Sequence, residues 1–160
     1  DKFDFKTSHV LPALIRKVVE RQNPLEVWGT GEDIRDLIYV DDMVEAIILA
    51  MDKIETYNPI NIGAGHGYSV NEILQTILEW ENYHPEIKYC LDKPTMIPKR
   101  LVDISKAKKL LGWKPKISLR EGIKITLEWY RNQGNEKAIE QKPEEMAPGL
   151  WESIRQMDQT

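Results

Sequence analysis

The sequence is poor in cysteine and histidine and contains no long apolar run. Its 160 residues include one cysteine, Cys90, and three histidines. A single cysteine excludes an intrachain disulfide and a multi-cysteine metal site, and the histidines are too scattered for a zinc motif. No apolar stretch approaches the roughly 20 residues that a transmembrane helix needs. We therefore expect no metal, no membrane association and a reducing, cytoplasmic location.

An excess of positive charge is also missing. Lysine and arginine number 22 against 26 aspartate and glutamate residues, which leaves a net charge of −4. Surfaces that bind nucleic acids in general depend on clustered positive charge, so we expect no nucleic-acid partner. A small local basic pocket remains compatible with this balance. The length is that of about one domain.

Hydrophobic periodicity alternates between helical and extended spacing, which predicts an α/β fold with a small mixed sheet and flanking helices. Helices are predicted over residues 10–21, from Asp41 or Asp42 onward, after Ser69, and over residues 104–111 and 119–131. Strands are predicted over residues 25–28, 35–40, 59–62 and 86–90, and the first two could form a hairpin.

Local signals place several helix ends and one boundary. Thr7 or Ser8 can cap the first helix, and Ser69 with Glu72 forms a capping box. Gly112 is expected to end the helix before it. Large apolar residues become scarce after residue 133. We therefore predict a domain over residues 1–133 and a linker or tail over 134–160, where Leu150, Trp151 and Ile154 could form a short docking helix.

Residues 63–67, Gly-Ala-Gly-His-Gly, follow a predicted strand and precede a helix. Their spacing differs from the dinucleotide fingerprint, and no acidic residue ends a second strand about 20 residues later. A glycine-rich turn is the favoured interpretation, and a nest of backbone N–H groups facing an anion is the alternative. Neither a phosphate loop nor a Gly-x-Ser-x-Gly nucleophile motif is present, so we assign no catalytic residue to this chain.

Four features allow two interpretations each. Arg35 could bind a diphosphate through its planar fork or pair with a nearby aspartate at 33, 36 or 41. Trp28 could stack on a base or lie in the core. Lys99 and Arg100 could reach a phosphate or form a solvated pair, and Asp41-Asp42 is explained better as a helix cap than as a metal pair.

Four stretches carry a resemblance to a known family. They are residues 7–17, residues 27–31 together with 35–42, residues 60–65, and residues 98–103 together with 109–115. They include Val-Trp-Gly-Thr-Gly and Arg-Asp-Leu-Ile-Tyr-Val-Asp-Asp. In this order and spacing they resemble the extended short-chain dehydrogenase/reductases that act on nucleotide sugars. The resemblance is strongest to the C-terminal part of the GDP-L-fucose synthases and next to the UDP-glucose 4-epimerases.

The resemblance implies a division of labour between two parts of a longer enzyme. In this family an N-terminal Rossmann domain holds NAD(P) and a catalytic Tyr-x-x-x-Lys set, while the C-terminal part binds the nucleoside diphosphate sugar. We expect NAD(P) in the full-length enzyme and none for this chain alone, and we expect the catalytic motif to be absent here. The implied partners are a GDP- or UDP-linked sugar, the missing Rossmann domain in cis or in trans, and further copies in a homo-oligomer.

Residue by residue, the resemblance places His9 by the nicotinamide end of the cofactor. It places Lys17, Trp28 and Arg35 against the nucleotide sugar and Arg100 near the diphosphate. Two departures are visible: Thr95-Met96 stands where the family typically has Asp-Gly, and Lys17 replaces an arginine and so lacks its bidentate fork. The alternative is a non-catalytic binding or interaction module descended from such an enzyme.

Overall fold

A computed structural model describes residues 3–5, 8–95 and 97–139, with the backbone alone for residues 133–139. The chain divides into two units, Asp1–Leu127 and Glu128–Thr160. The docking helix predicted around Leu150, Trp151 and Ile154 lies outside the described residues. The boundary between residues 133 and 134 stays a prediction.

Helices and strands alternate along the chain, which confirms the predicted α/β class. The helices are α1 (Val10–Val19), α2 (Val40–Lys53), α3 (Val70–Glu81), α4 (Ser105–Leu111) and α5 (Leu119–Ile139). The strands are β1 (Leu25–Trp28), β2 (Ile34–Asp36), β3 (Gly67–Ser69), β4 (Ile87–Cys90) and β5 (Lys99–Arg100).

The strands form two small sheets instead of one. β1 pairs in parallel with β4, and β2 lies between antiparallel β3 and parallel β5. The predicted hairpin of β1 with β2 is therefore wrong. The intervening turn bonds to α3 instead, because Asn71 N donates to Gly31 O at 2.9 Å and Val70 N to Asp33 O at 3.1 Å. These bonds direct β2 away from β1.

Helix α1 packs against α3 through buried branched side chains, among them Ile15, Val18, Ile73 and Ile77. The predicted capping box at the start of α3 is confirmed: Glu72 N donates to Ser69 Oγ at 3.1 Å, and Ser69 N to Glu72 Oε2 at 2.7 Å. The predicted Ser8 cap of α1 is wrong, because His9 is the N-cap residue and its side chain makes no capping bond.

A second core cluster joins α2 to α4 and the segment that follows. Ala46, Ala107, Leu111 and Trp113 are buried together. Gly112 ends α4 in the left-handed conformation, with φ +66°, as the sequence predicts.

Asp42 does not cap α2. Tyr39 is the N-cap residue, and Asp42 lies inside the first turn with 3% exposure. Its Oδ2 accepts hydrogen bonds from Lys116 N at 3.0 Å and Ile117 N at 2.9 Å. The buried carboxylate therefore anchors the segment that leads into α5, a role that local sequence could not reveal.

The outer face of α2 is apolar and exposed. Six residues at helical spacing, each between 37% and 78% exposed, form this face: Val40, Met43, Val44, Ile47, Ile48 and Met51.

Residues 59–62 form no strand, so that prediction is wrong. A strand needs hydrogen-bonded neighbours for its backbone groups, and none of the five strands in the described residues pairs with this segment.

Helix α5 runs to Ile139, whereas the sequence predicted an end at residue 131. Residues 135–139, Asn-Glu-Lys-Ala-Ile, include good helix formers, and the one glycine before them at 134 is tolerated at a modest cost. The absence of large apolar residues was therefore a poor guide to where this helix ends.

Candidate functional site

Arg35 lies on β2 and is largely buried. Its side chain is 19% exposed and pairs with Asp33, with 3.0 Å between Nη2 and Oδ2. Nη1 also donates to the carbonyl oxygens of Ile34 at 2.8 Å and Ile97 at 2.9 Å. A guanidinium has five N–H groups, so some donors remain. The ion-pair interpretation of Arg35 is confirmed for Asp33, and capacity for a ligand is left.

Arg100 is the register partner of Arg35 in the parallel pairing of β5 with β2. Register partners project their side chains to the same face of a sheet. Arg100 is exposed, and none of the described residues forms a hydrogen bond or ion pair with its guanidinium. Arg35 and Arg100, which belong to separate motifs, therefore lie side by side on one sheet face. The exposed guanidinium of Arg100 is available to bind an anion.

Residues 91–98 connect the two sheets. The segment starts beside β1, where Gly29 N donates to Cys90 O at 3.0 Å. Thr95 then lies against Gly29, which has φ +72° and whose Cβ, if it had one, would collide with Cγ2 of Thr95. The segment ends at β5, beside Arg35. The segment therefore leads from the end of β4, beside Trp28 of β1, to Arg100 of β5. Met96 lies outside the described residues.

Trp28 is the last residue of β1, opposite Cys90. Its side chain is 53% exposed, so the interpretation that placed it in the core is wrong. A large aromatic ring exposed at a strand end offers a face on which a base can stack.

Lys17 projects from α1 toward β1. Its Nζ donates to Glu26 O at 2.7 Å. Burial lowers the pKa of Lys17 below its ordinary value, and the nearby Glu26 and Cys90 partly oppose this shift. Lys17 is thus bonded to β1, the strand that ends in Trp28. Among the described residues, no hydrogen bond or ion pair links it to Arg35 or Arg100.

His9 remains apart from these residues. It is exposed at the N-terminus of α1. Among the described residues, no hydrogen bond or ion pair joins it to Trp28 or the two arginines. Its predicted place beside the cofactor stays a prediction.

A Tyr-x-x-x-Lys sequence does occur in the chain, at Tyr89 and Lys93, so the expectation that this pattern is absent is wrong. On a helix this spacing makes the two side chains direct neighbours. Here Tyr89 lies in β4 and donates from its hydroxyl to Asn71 Oδ1 at 3.0 Å, while Lys93 lies in the turn that follows. The pair therefore has no helical catalytic arrangement.

Asp36 is a site residue that the sequence reasoning missed. Its Oδ1 accepts from Ala64 N at 2.7 Å, and its Oδ2 accepts from Gly65 N at 3.0 Å and Val102 N at 3.2 Å. The glycine-rich loop therefore directs these amides to an internal carboxylate. The nest of N–H groups proposed for an external anion is wrong, and the turn interpretation holds. In the sequence, the only indication of a role for Asp36 is its position directly after Arg35.

Asn71 was recognised only as part of the capping-box segment. Its Nδ2 donates to Glu32 Oε1 at 2.8 Å and to Thr30 O at 3.3 Å. It also accepts from Tyr89 Oη, and a Cβ on Gly31 would collide with its side chain. Asn71 therefore fixes the turn between β1, which ends in Trp28, and β2, which carries Arg35.

An open groove of about 630 Å³ lies elsewhere, between α3, β4 and the start of α5. Its walls include Tyr68, Gln75, Ile87 and Arg120. It contains none of the five residues predicted to bind cofactor or substrate.

The glycine-rich loop cannot cradle a pyrophosphate, because two of its amides bond to Asp36. Within the described residues, no group of three or more histidine, cysteine, aspartate or glutamate side chains could hold a metal ion. In the same part of the chain, no helix is long and apolar enough to cross a membrane.

Comparison with known proteins shows which enzymes this chain resembles. Residues 2–63 match the NAD dependent epimerase/dehydratase family. The chain is 37% identical over 134 residues to probable GDP-L-fucose synthase 1 of Oryza sativa subsp. japonica, and 34% identical over 143 residues to GDP-L-fucose synthase of Escherichia coli K12. The chain is a relative of the NAD-dependent epimerases and dehydratases. The matches cover 81% of this chain but only 40% and 44% of those two proteins.

Two solved structures of nucleotide-sugar enzymes share the fold. The UDP-glucose 4-epimerase of Thermotoga maritima, solved with UDP-glucose, is 34% identical with a TM-score of 0.70. A GDP-6-OMe-4-keto-L-xylo-heptose reductase from C. jejuni is 30% identical with a TM-score of 0.70. This chain spans 40% of the first and 50% of the second, with 79% and 82% of its own residues aligned. The predicted family resemblance is thereby confirmed, over part of the length of these proteins.

Proposed function

We propose that this chain is the nucleotide-sugar-binding part of an NAD(P)-dependent epimerase, dehydratase or reductase. The pairing of Arg35 with Arg100 across β2 and β5 carries the proposal. A diphosphate bears at least two negative charges, and the chain has a net charge of −4. Binding therefore requires a local cationic group, and two guanidinium groups on one sheet face supply it.

Trp28 and Lys17 complete the proposed site. The exposed ring of Trp28 stacks on the base. Lys17 retains two ammonium hydrogens beyond the one that it donates to Glu26 O. The relatives whose names specify a nucleotide include both GDP-linked and UDP-linked enzymes, so the base is a question for the experiment.

The cofactor belongs, in this proposal, to a part of the enzyme that this chain does not contain. NAD(P) supplies hydride transfer when the complete enzyme binds it. The residues of this chain grip the nucleoside diphosphate and place the sugar. His9, exposed before α1, is our candidate for a residue of this chain that faces the cofactor.

The apolar face of α2 is the proposed binding surface for the partner domain. Six exposed apolar residues on one helix face form a patch that soluble monomers rarely leave open. The missing Rossmann domain, supplied in cis or in trans, covers this face in the complete enzyme. Without it, two copies of the chain cover it by pairing.

Titration of the 160-residue chain with GDP, UDP, guanosine and uridine tests this function through tryptophan fluorescence. The diphosphates should bind, and at least tenfold more tightly than the nucleosides, because each charge-assisted bond contributes ~1.5–3 kcal/mol. Arg100→Ala should remove most of this difference. Equal or absent binding of all four compounds would contradict the proposal, and so would micromolar binding of NADH by calorimetry.

The second candidate is a non-catalytic interaction module, which the exposed α2 face favours. This hypothesis requires no nucleotide binding, while the partner interaction persists. A chain that associates through α2 and ignores both GDP and UDP would support it over the first proposal.

A further inference from the structure

The segment that carries Arg100 has little strand pairing of its own. β5 consists of Lys99 and Arg100 alone. Its register with β2 comprises two residue pairs, of which Arg35 with Arg100 is the second. So short a ladder leaves the position of Arg100 dependent on the contacts before and after it.

The chain before Arg100 is fixed by β2. Ile34 N donates to Pro98 O at 2.7 Å, and Arg35 Nη1 donates to Ile97 O at 2.9 Å. The guanidinium of Arg35 is largely buried and also paired with Asp33. It therefore holds the approach to Arg100 with a side chain that is itself immobilised.

The chain after Arg100 is fixed by Asp36. Its Oδ2 accepts from Val102 N at 3.2 Å, and the same carboxylate accepts from Ala64 N and Gly65 N. Gly63 leaves room for this arrangement, since a Cβ there would lie 3.0 Å from Val102 Cβ and 3.2 Å from Asp36 Oδ2. The carboxylate thus joins the Arg100 segment to a second loop, which fixes it independently of that segment.

We propose that Asp36 is a positioning residue for the diphosphate site: together with Arg35 it clamps residues 97–102 and so holds the Arg100 guanidinium opposite that of Arg35. The inference rests on the proposed function. Arg35 donates a hydrogen bond to the chain before Arg100, and Asp36 accepts one from the chain after it. Asp36 does not touch the ligand, because its oxygens are engaged by three backbone amides.

Asp36→Asn tests this role in the 160-residue chain. The substitution removes the charge and puts an N–H₂ group where backbone N–H groups need an acceptor. Amide exchange of Val102 should become at least tenfold faster, and the affinity for GDP or UDP should fall about tenfold, as expected when hydrogen bonds to a charged group are lost. Guanosine and uridine binding should stay unchanged. In an Arg100→Ala background, Asp36→Asn should cause no further loss of affinity.

Asp92→Asn is the matched control, because Asp92 is exposed in the segment that precedes β5. It should change neither Val102 exchange nor diphosphate affinity. Unchanged exchange and affinity in Asp36→Asn would overturn the clamp, and so would equal losses for nucleosides and diphosphates.

Two further measurements keep the test decisive. If Asp36→Asn does not fold, Val102→Pro removes a single donor to Asp36, and it should weaken diphosphate binding while sparing nucleoside binding. In the unmodified chain, a Val102 amide that exchanges as fast as an open loop would overturn the clamp. If the unmodified chain binds no diphosphate, the proposed function fails, and the clamp is judged by amide exchange alone.

Discussion

Arg35 on β2 and Arg100 on β5 are register partners in a parallel strand pair, although they lie far apart in the chain. Arg35 is largely buried against Asp33 and two carbonyl oxygens, whereas Arg100 is exposed. The inner arginine therefore organises the site and the outer one is available to a ligand. This asymmetry predicts different consequences for the two residues.

Arg35→Ala should reduce both stability and nucleotide affinity. Loss of its bonds to Asp33 and Ile97 should cost about 1–3 kcal/mol of unfolding free energy, and GDP or UDP affinity should fall roughly 10- to 150-fold. Arg35→Lys should retain only part of the affinity and stability, because the point charge of lysine cannot replace the planar guanidinium. Urea denaturation and fluorescence titration of the same samples measure both effects. Arg120→Ala, which removes an exposed ion pair with Glu79, should leave affinity unchanged. A stable Arg35→Ala protein with intact affinity would refute this assignment.

Trp28→Ala should weaken nucleotide binding by ~1–3 kcal/mol, the range seen for base–aromatic stacking. Its effect on stability should be small, because the ring is 53% exposed. Trp28→Phe should retain part of the affinity, since a smaller ring still offers a stacking face. Calorimetry gives the affinities. Trp80→Phe is the control, because Trp80 contacts Arg120 and Lys124 instead. If Trp28→Ala bound as tightly as the unmodified chain, stacking on this ring would be excluded.

Asp42→Ala should be strongly destabilising, in contrast to Asp41→Ala. The substitution removes a buried carboxylate and leaves the backbone N–H groups of Lys116 and Ile117 without their acceptor. We expect a loss of about 2–3 kcal/mol. Asp41 is exposed in the same helical turn, so its substitution should cost about 0.5 kcal/mol or less. Thermal unfolding distinguishes the two. Similar effects of both would favour a general helix-end contribution over an anchor.

The capping box makes stability depend on acid pH. Hydrogen bonds from the Ser69 amide and hydroxyl lower the pKa of Glu72 from its ordinary value. The unfolded chain therefore binds more protons than the native chain in this range, and stability falls with decreasing pH. The contribution is complete above the ordinary glutamate pKa of about 4.3 and is lost as pH falls through the lowered native pKa.

Glu72→Gln should flatten this acid limb while keeping most of the stability at neutral pH, because glutamine also serves at this position of a capping box. Melting temperatures from about pH 3 to pH 7 measure the change. Glu55→Gln, an exposed residue outside any cap, should follow the unmodified curve. An acid limb in Glu72→Gln as steep as that of the unmodified chain would contradict the assignment.

The chain should associate through the exposed face of α2. Ile48 and Met51 are 54% and 78% exposed on this face. Ile48→Glu and Met51→Glu should each shift the association to higher concentration in sedimentation experiments, because a buried unpaired charge opposes contact. Leu91→Glu alters an apolar side chain that is 72% exposed elsewhere and should have no effect. A monomer at high concentration that binds no hydrophobic dye would contradict this prediction.

Local chemistry predicted much of the secondary structure. β1, the capping box of α3 and the glycine end of α4 follow from neighbouring residues alone, and they appear as predicted. Long-range partners explain the errors. The β1–β2 hairpin is missing because the turn bonds to α3, and Asp42 leaves its expected capping role because residues 116 and 117 supply other donors.

The sequence by itself determined the fold class, the family resemblance and the residue types from which a diphosphate site could be built. Periodicity, caps and motif order are local properties, so they can be read along the chain. Only the tertiary structure decided that Arg35 and Arg100 are neighbours on one sheet face, that Trp28 is exposed, and that Asp36 binds the glycine-loop amides. These relationships depend on strand register and burial, which arise from contacts between distant segments and leave no periodic signal in the sequence.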